Sequence, residues 1–185
     1  MLKDEYFRTP VWSEDKPEFV KSLNKACNKY IKKARTRDKK NIQTTKDFGT
    51  SHHSPPLLKD NDFIDFRKYV GQKSWEFLEE HGYNMKSYTT LFSEMWVQEF
   101  SQKGGGHHTA HIHGNQHVAG LYFLKASEKT SYPIFYDPRT GARATNLNLD
   151  RSLKGIYHGT DVIHYKAAPG RLIIFPGYLE HGFSV

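Results

Sequence analysis

The apolar pattern of the chain changes its period once, near Tyr83, and that change limits the fold more than any other feature. Before it, Phe19, Val20, Leu23, Cys27, Tyr30, Ile31 and Ala34 recur at spacings of three and four, the mark of an amphipathic helix running from Asp15 with Pro17 near its first turn. A second helix is predicted to take Asn61 or Asp62 as its cap, to present Phe63, Phe66, Val70, Phe77 and Leu78, and to stop at His81-Gly82. Between the two, residues 41–59 carry Phe48-Gly49, Ser51, His52-His53, Ser54 and Pro55-Pro56, which reads as a loop or a short extended segment. After Tyr83 the chain turns to short aromatic and β-branched runs separated by Gly, Pro and Asn: residues 88–100, 110–113, 118–124, 133–136, 162–165 and 171–175. These are read as strands of one antiparallel barrel or sandwich, so the expected class is mostly β with N-terminal helices.

A chain of 185 residues fits a single domain. The division expected within it is a helical support region over 1–86 and a β core over 87–185. No run of 18 apolar residues occurs, and the first ten residues have neither an apolar centre nor a small-residue cleavage site, so membrane-spanning and secretory classes are excluded and the cytoplasm is the expected location. Cys27 stands alone, which rules out an intramolecular disulfide or a thiolate-rich metal site. A metal would therefore rest on His and carboxylates. The net charge is +7, and between Lys21 and Lys46 there are ten Lys or Arg against one acid. The ordinary reading of Lys21, Lys25, Lys29 and Lys33 is a solvated helix face; nucleic acid is the anionic partner such a face could serve, though no stacking or groove-reading motif accompanies it.

Histidine is where the composition becomes specific, because His107, His108, His111, His113 and His117 fall within eleven positions. In an extended strand His111 and His113 would point to one side with Cα atoms about 6.5 Å apart, a spacing that suits two ligands on one metal. A third ligand must come from a neighbouring strand. His181 is the candidate, delivered after the apolar run Arg171 to Phe175 is broken by Pro176-Gly177. Three protein ligands on one face of an octahedron leave the remaining positions open, as non-haem Fe(II) oxygenation requires, although the usual triad contains a carboxylate and this one would not. His107 and His108 read as loop residues that could contact substrate, and His117 as a support for its neighbours. His52, His53, His158 and His164 have no partner that spacing identifies.

Several landmarks occur together: Trp96-Val97-Gln98; Gly104 to Gly106; His111-Ile-His113-Gly-Asn115 leading into Gly120-Leu-Tyr122-Phe-Leu124; Pro133-Ile-Phe-Tyr-Asp137-Pro138-Arg139; and Gly170-Arg-Leu-Ile-Ile-Phe-Pro followed by His181. In this order they resemble a family of bacterial and phage oxygenases dependent on 2-oxoglutarate and Fe(II), with the likeness covering Tyr88 to Val185. The resemblance implies a double-stranded β-helix, a cupin-like jelly roll with the metal at its mouth, and metal positions at His111, His113 and His181. It also implies Fe(II), 2-oxoglutarate and O2 as cofactors, with hydroxylation of a C–H bond in a protein side chain or small molecule and release of succinate and CO2. Relatives anchor the cosubstrate through a basic residue beyond the distal His; this sequence stops at Val185, so the expectation is a missing last strand, or else another cation in that role, Arg171 first, with Lys125 and Arg139 behind it. Tyr122, at a position where the family has tyrosine, is the candidate to hydrogen-bond the cosubstrate. Two other readings stay open: a three-His cupin-like metalloprotein without 2-oxoglutarate, and a basic nucleic-acid-binding module. Oligomeric state is not legible.

Overall fold

The computed structural model describes the chain apart from residues 1, 3, 5, 43–47, 102, 145–146, 151, 153 and 185. The end of the basic run at Lys46, part of the expected loop and the terminal Val185 thus lie outside the described residues. None of the described helices is long and apolar enough to cross a membrane.

A strand comes first. β1 (Trp12–Asp15) ends on the residue expected to begin the first helix, because Asp15 and its neighbours pair with a distant strand. A short 3-10 turn at Pro17–Phe19 then leads into helix α1 (Val20–Ile42). Its apolar stripe buries Leu23, Ala26 and Cys27 against Leu57 and Phe63. Burial pushes the Cys27 thiol up to about 11, so it packs as a small apolar group and is not reactive. β2 (Ser51–His53) is the short extended segment expected between the helices. The second helix is capped one residue earlier than expected: Asp60 accepts from the Asp62 amide at 2.9 Å and starts a 3-10 turn that continues as α2 (Ile64–Glu80).

The β part follows in β3 (Gln98–Phe100), β4 (His108–His111), β5 (Val118–Tyr122), β6 (Pro133–Tyr136), β7 (Val162–His164), β8 (Arg171–Pro176) and β9 (His181–Phe183), with a single-turn helix α3 (Thr140–Arg143) after β6. Residues 88–97, expected as strand, carry no ladder; only their end at Gln98 pairs, with β2. β9 was not anticipated, because three residues, one of them glycine, carry no alternation.

All strand pairings are antiparallel, in the orders β1-β8-β5, β2-β3 and β4-β9-β6-β7, and the ladders among the described residues do not close into a barrel. β8 organises the interior. Every second residue of a strand faces the same way, so Leu172 and Ile174 pack with Phe77 of α2, Trp12 and Tyr122, whereas Ile173 and Phe175 pack with Phe123, Phe135 and Leu179 between the two larger sheets. Each such side chain, fully removed from water, contributes about 2–3 kcal/mol. The fully apolar run expected for this strand is thus explained by burial on both faces.

Candidate metal centre

β4 and β9 pair so that His111 faces His181, while two residues further along β9 Phe183 faces His108, three residues back on β4. The extra residue in β4 is a bulge, which re-aims the side chains beside it. Gly182 makes room for that bulge: a Cβ there would lie 2.7 Å from the His108 carbonyl oxygen. His113 lies beyond the strand end and is brought in by a different device. Its amide donates to the Gly177 carbonyl at 2.9 Å, and the Gly177 amide donates to the His117 carbonyl at 3.1 Å, so the turn before β9 clasps the loop after β4. A Cβ on Gly177 would fall 2.1 Å from the Gln116 carbonyl oxygen. Both glycines are needed for close backbone approach.

The outcome is a compact trio. His111, His113 and His181 each offer a ring nitrogen, and these atoms lie within 4.8 Å of one another. Ring centroids are 4.4 Å apart for His111 and His181, 5.1 Å for His113 and His181, and 5.2 Å for His111 and His113. His181 is 2% exposed, with its Nδ1 2.8 Å from the Leu179 carbonyl; His111 has its Nδ1 2.9 Å from the Thr109 carbonyl. A nitrogen facing a carbonyl must carry the proton and donate it, so in both rings Nε2 is left with a free lone pair.

Electrostatics point the same way. Burial pushes His181 down to about 4, and repulsion from the imidazoles of His111, His113 and His108 adds to it, against the opposing pull of the Leu179 carbonyl. His113 is lowered by burial first and by His111 next, with Glu94 acting in the opposite direction. Phe175 meets His181 edge-on at 4.5 Å, and Phe135 stacks on it at 6.0 Å, so one side of the trio is walled by apolar rings. Three imidazole nitrogens gathered in a partly dry setting form a donor set that suits a divalent first-row metal. The chemistry of the donors therefore fits iron.

Residues 94–184 match the model of the family described as "Putative 2OG-Fe(II) oxygenase". Over that segment the chain is similar to this oxygenase family. The match supports an oxygenase that uses Fe(II), 2-oxoglutarate and O2. No curated protein matches it. All three histidines fall inside the oxygenase segment, as do β3 to β9, whereas α1, α2, β1 and β2 precede it.

The two residues expected to hold the cosubstrate sit elsewhere. Tyr122 is on the face of β5 that meets the helices, its ring 4.9 Å from Phe66 and its hydroxyl donating to the Lys16 carbonyl at 2.6 Å. Strand alternation puts it on the opposite side of the sheet from Phe175, which touches His181. Arg171 lies four residues before Phe175, about 13 Å along the strand, and is engaged by Asp15 at 2.8 and 3.0 Å and by the Lys166 carbonyl. Of the other cations considered, Arg139 is clamped to Asp137 at 2.6 Å and reaches His158, and Lys125 is exposed. Glu180, adjacent to His181, is turned outward into an ion pair with Arg143.

Two aromatic side chains near the trio escaped the sequence reading. His108, read as a loop residue, is on β4 with its ring 4.4 Å from that of His111. His53, for which spacing found no partner, stacks on Trp96 at 5.2 Å and is near enough to His108 to help lower that group's pKa, behind burial and His111. Trp96 had been noted only as a landmark. Nothing in the sequence links residues 53 and 96, which meet where β2 pairs with β3, or either of them to His108, which stands on β4 opposite Phe183.

Proposed function

We propose that His111, His113 and His181 hold Fe(II), and that the protein hydroxylates a C–H bond of a protein side chain or small molecule while 2-oxoglutarate is converted to succinate and CO2. The observation that carries this is the convergence of three ring nitrogens within 4.8 Å, two of them on imidazoles whose other nitrogen is occupied by a backbone carbonyl. When bound, the iron and 2-oxoglutarate supply the oxidising power, one oxygen atom entering the substrate and the other entering succinate. The chain supplies orientation. The Leu179 and Thr109 carbonyls fix the tautomers, burial keeps His181 and His113 unprotonated at neutral pH, and Phe135 and Phe175 keep water from the His181 side. In the same reading the two larger antiparallel sheets, facing each other across Phe123, Phe135 and Phe175, form a double-stranded β-helix with the histidines at one end.

The test is an anaerobic titration of the Fe(II)-loaded protein with 2-oxoglutarate, following the visible charge-transfer band that chelation produces. The band is expected in the wild type and absent in His111→Ala. Iron binding without any band would leave a three-His metalloprotein of another kind, which the lack of a carboxylate in the trio also accommodates.

A further inference from the structure

Beside the trio lies a set of side chains that the proposed iron site does not use. The His53 ring is exposed and stacked on Trp96 at 5.2 Å, 27° from parallel. His108 stands edge-on to His111 at 4.4 Å, and Phe100 of β3, the strand paired with β2, packs at 5.2 Å on Phe183, which faces His108 across the β4–β9 ladder. The ribbon that carries this planar platform is thus seated on the strand pair that carries the trio. The same platform is tied to the most basic element of the molecule, since Arg37 of α1 donates to the His53 carbonyl at 3.1 Å and Arg35 grips Glu99 of β3 at 2.6 Å. The exposed side of α1 carries Lys21, Lys25, Lys29, Lys32, Lys33, Arg35, Arg37 and Lys39. Lys29 is taken up by Asp60 and Asp62; among the described residues no carboxylate pairs with Lys21, Lys25, Lys32, Lys33 or Lys39. Lys21, Lys25, Lys32 and Lys39 recur within 40° of one another around the helix, a row of charge about 27 Å long.

We infer that the substrate presented to the iron site is a base in a single-stranded nucleic acid, its backbone on the cationic side of α1 and the base against His53 and Trp96. The inference rests on the oxygenase reading above and names its substrate class. Cations that follow a backbone and aromatic rings that accept bases are the two parts of single-strand recognition, and each has a separate signature. Charge is read by salt dependence, with a slope of about 0.7 per phosphate neutralised on a single strand. Stacking is read by ring removal, which costs roughly 5- to 150-fold per base and leaves the salt slope alone. A base must also be out of a duplex for an enzyme to oxidise it, which favours the single strand over the double. The reaction is the one already stated: a C–H bond of the base becomes C–OH, and the second oxygen atom leaves in succinate.

The experiment measures fluorescence anisotropy of a labelled twelve-nucleotide single strand against salt, with wild type, Lys25→Glu/Lys32→Glu/Lys33→Glu/Lys39→Glu, and His53→Ala. The lysine variant should bind at least 30-fold more weakly with a shallower salt slope. His53→Ala should lose about tenfold with the slope unchanged. In the iron- and 2-oxoglutarate-loaded enzyme the strand should raise succinate release several-fold and gain one oxygen atom in its mass. No binding, binding equalled by polyglutamate and indifferent to His53→Ala, or preference for phosphatidylserine vesicles over the strand would each overturn the inference. If the charge-transfer band forms while the strand neither binds nor is oxidised, the oxygenase reading survives and the substrate class falls. If the strand binds but the band never forms, the oxygenase reading falls and takes the substrate with it.

Discussion

The two ends of β8 border polar clusters of opposite kind. At the Arg171 end, charges meet their complements: Arg171 with Asp15, and nearby in the helical part Lys29 with Asp60 at 2.8 Å and Tyr30 donating to Asp60 at 2.5 Å. Lys29 and Asp60 hold each other in the charged form, and Asp60 keeps the Tyr30 hydroxyl protonated; Asp60 is pulled far below the usual carboxylate range, by Lys29 first. At the Phe175 end, His111, His113, His181 and His108 gather without a counter-charge among them, and burial drives His108, His113 and His181 towards neutrality. The first cluster has spent its bonding capacity on itself. The second has ring nitrogens with no hydrogen-bond partner among the described residues, and a cation from outside is the natural complement. A cluster of like groups in a partly dry place is therefore the better sign of function, and a set of matched ion pairs the better sign of scaffold.

The comparison breaks most visibly if the trio is dispensable. His111→Ala and His181→Ala should each lower Fe(II) affinity at least 100-fold, measured by equilibrium dialysis under anaerobic conditions; wild-type affinity in either would remove the assignment. Phe175→Ala comes next, since it opens a cavity between the two larger sheets beside His181. It should cost about 3–5 kcal/mol in denaturant unfolding, and a loss below about 1 kcal/mol would mean that the wall behind the histidines is not close-packed.

A pH titration of the metal-free protein sharpens the contrast further. His181 has a folded-state pKa of about 4, below the ordinary histidine value of 6.5, so the unfolded chain takes up the proton first. Its contribution to stability is complete above about pH 6.5 and is lost as pH falls towards about 4. That amounts to roughly 3 kcal/mol. Unfolding midpoints that stay level from pH 7 to pH 4.5 would show that His181 is not buried as a neutral ring. The smallest effect is expected at the other cluster. Arg171→Gln should leave the 2-oxoglutarate charge-transfer band at wild-type intensity and change stability only slightly, because an exposed pair contributes little. Loss of the band in that variant would return Arg171 to the cosubstrate site.

Much of the scaffold was legible because periodicity reports burial directly. The stripe of α1, the apolar face of α2, the run at Pro133–Tyr136 and the apolar strand at Arg171 all follow from which faces must leave water. The short strands were not legible. Trp12–Asp15 and His181–Phe183 have no pattern of their own and exist because a partner strand offers hydrogen bonds. Where Tyr122 and Arg171 lie relative to the trio was not legible for a related reason: alternation along a strand is local, but which face looks at the histidines depends on what packs on each side of the sheet.

By itself the sequence determined the chemistry available to this protein: a lone thiol, an excess of imidazoles, a His-x-His step and a distant third histidine after a glycine-proline break. Only the tertiary structure decided which of those imidazoles meet and in what state. The β4 bulge accommodated by Gly182 and the turn at Gly177 bring His111, His113 and His181 together, and backbone carbonyls choose the tautomers of His111 and His181. The physical reason is range. Residue type and spacing act through the next few bonds along the chain, whereas coordination and desolvation act through space, between atoms that only a folded sheet makes neighbours.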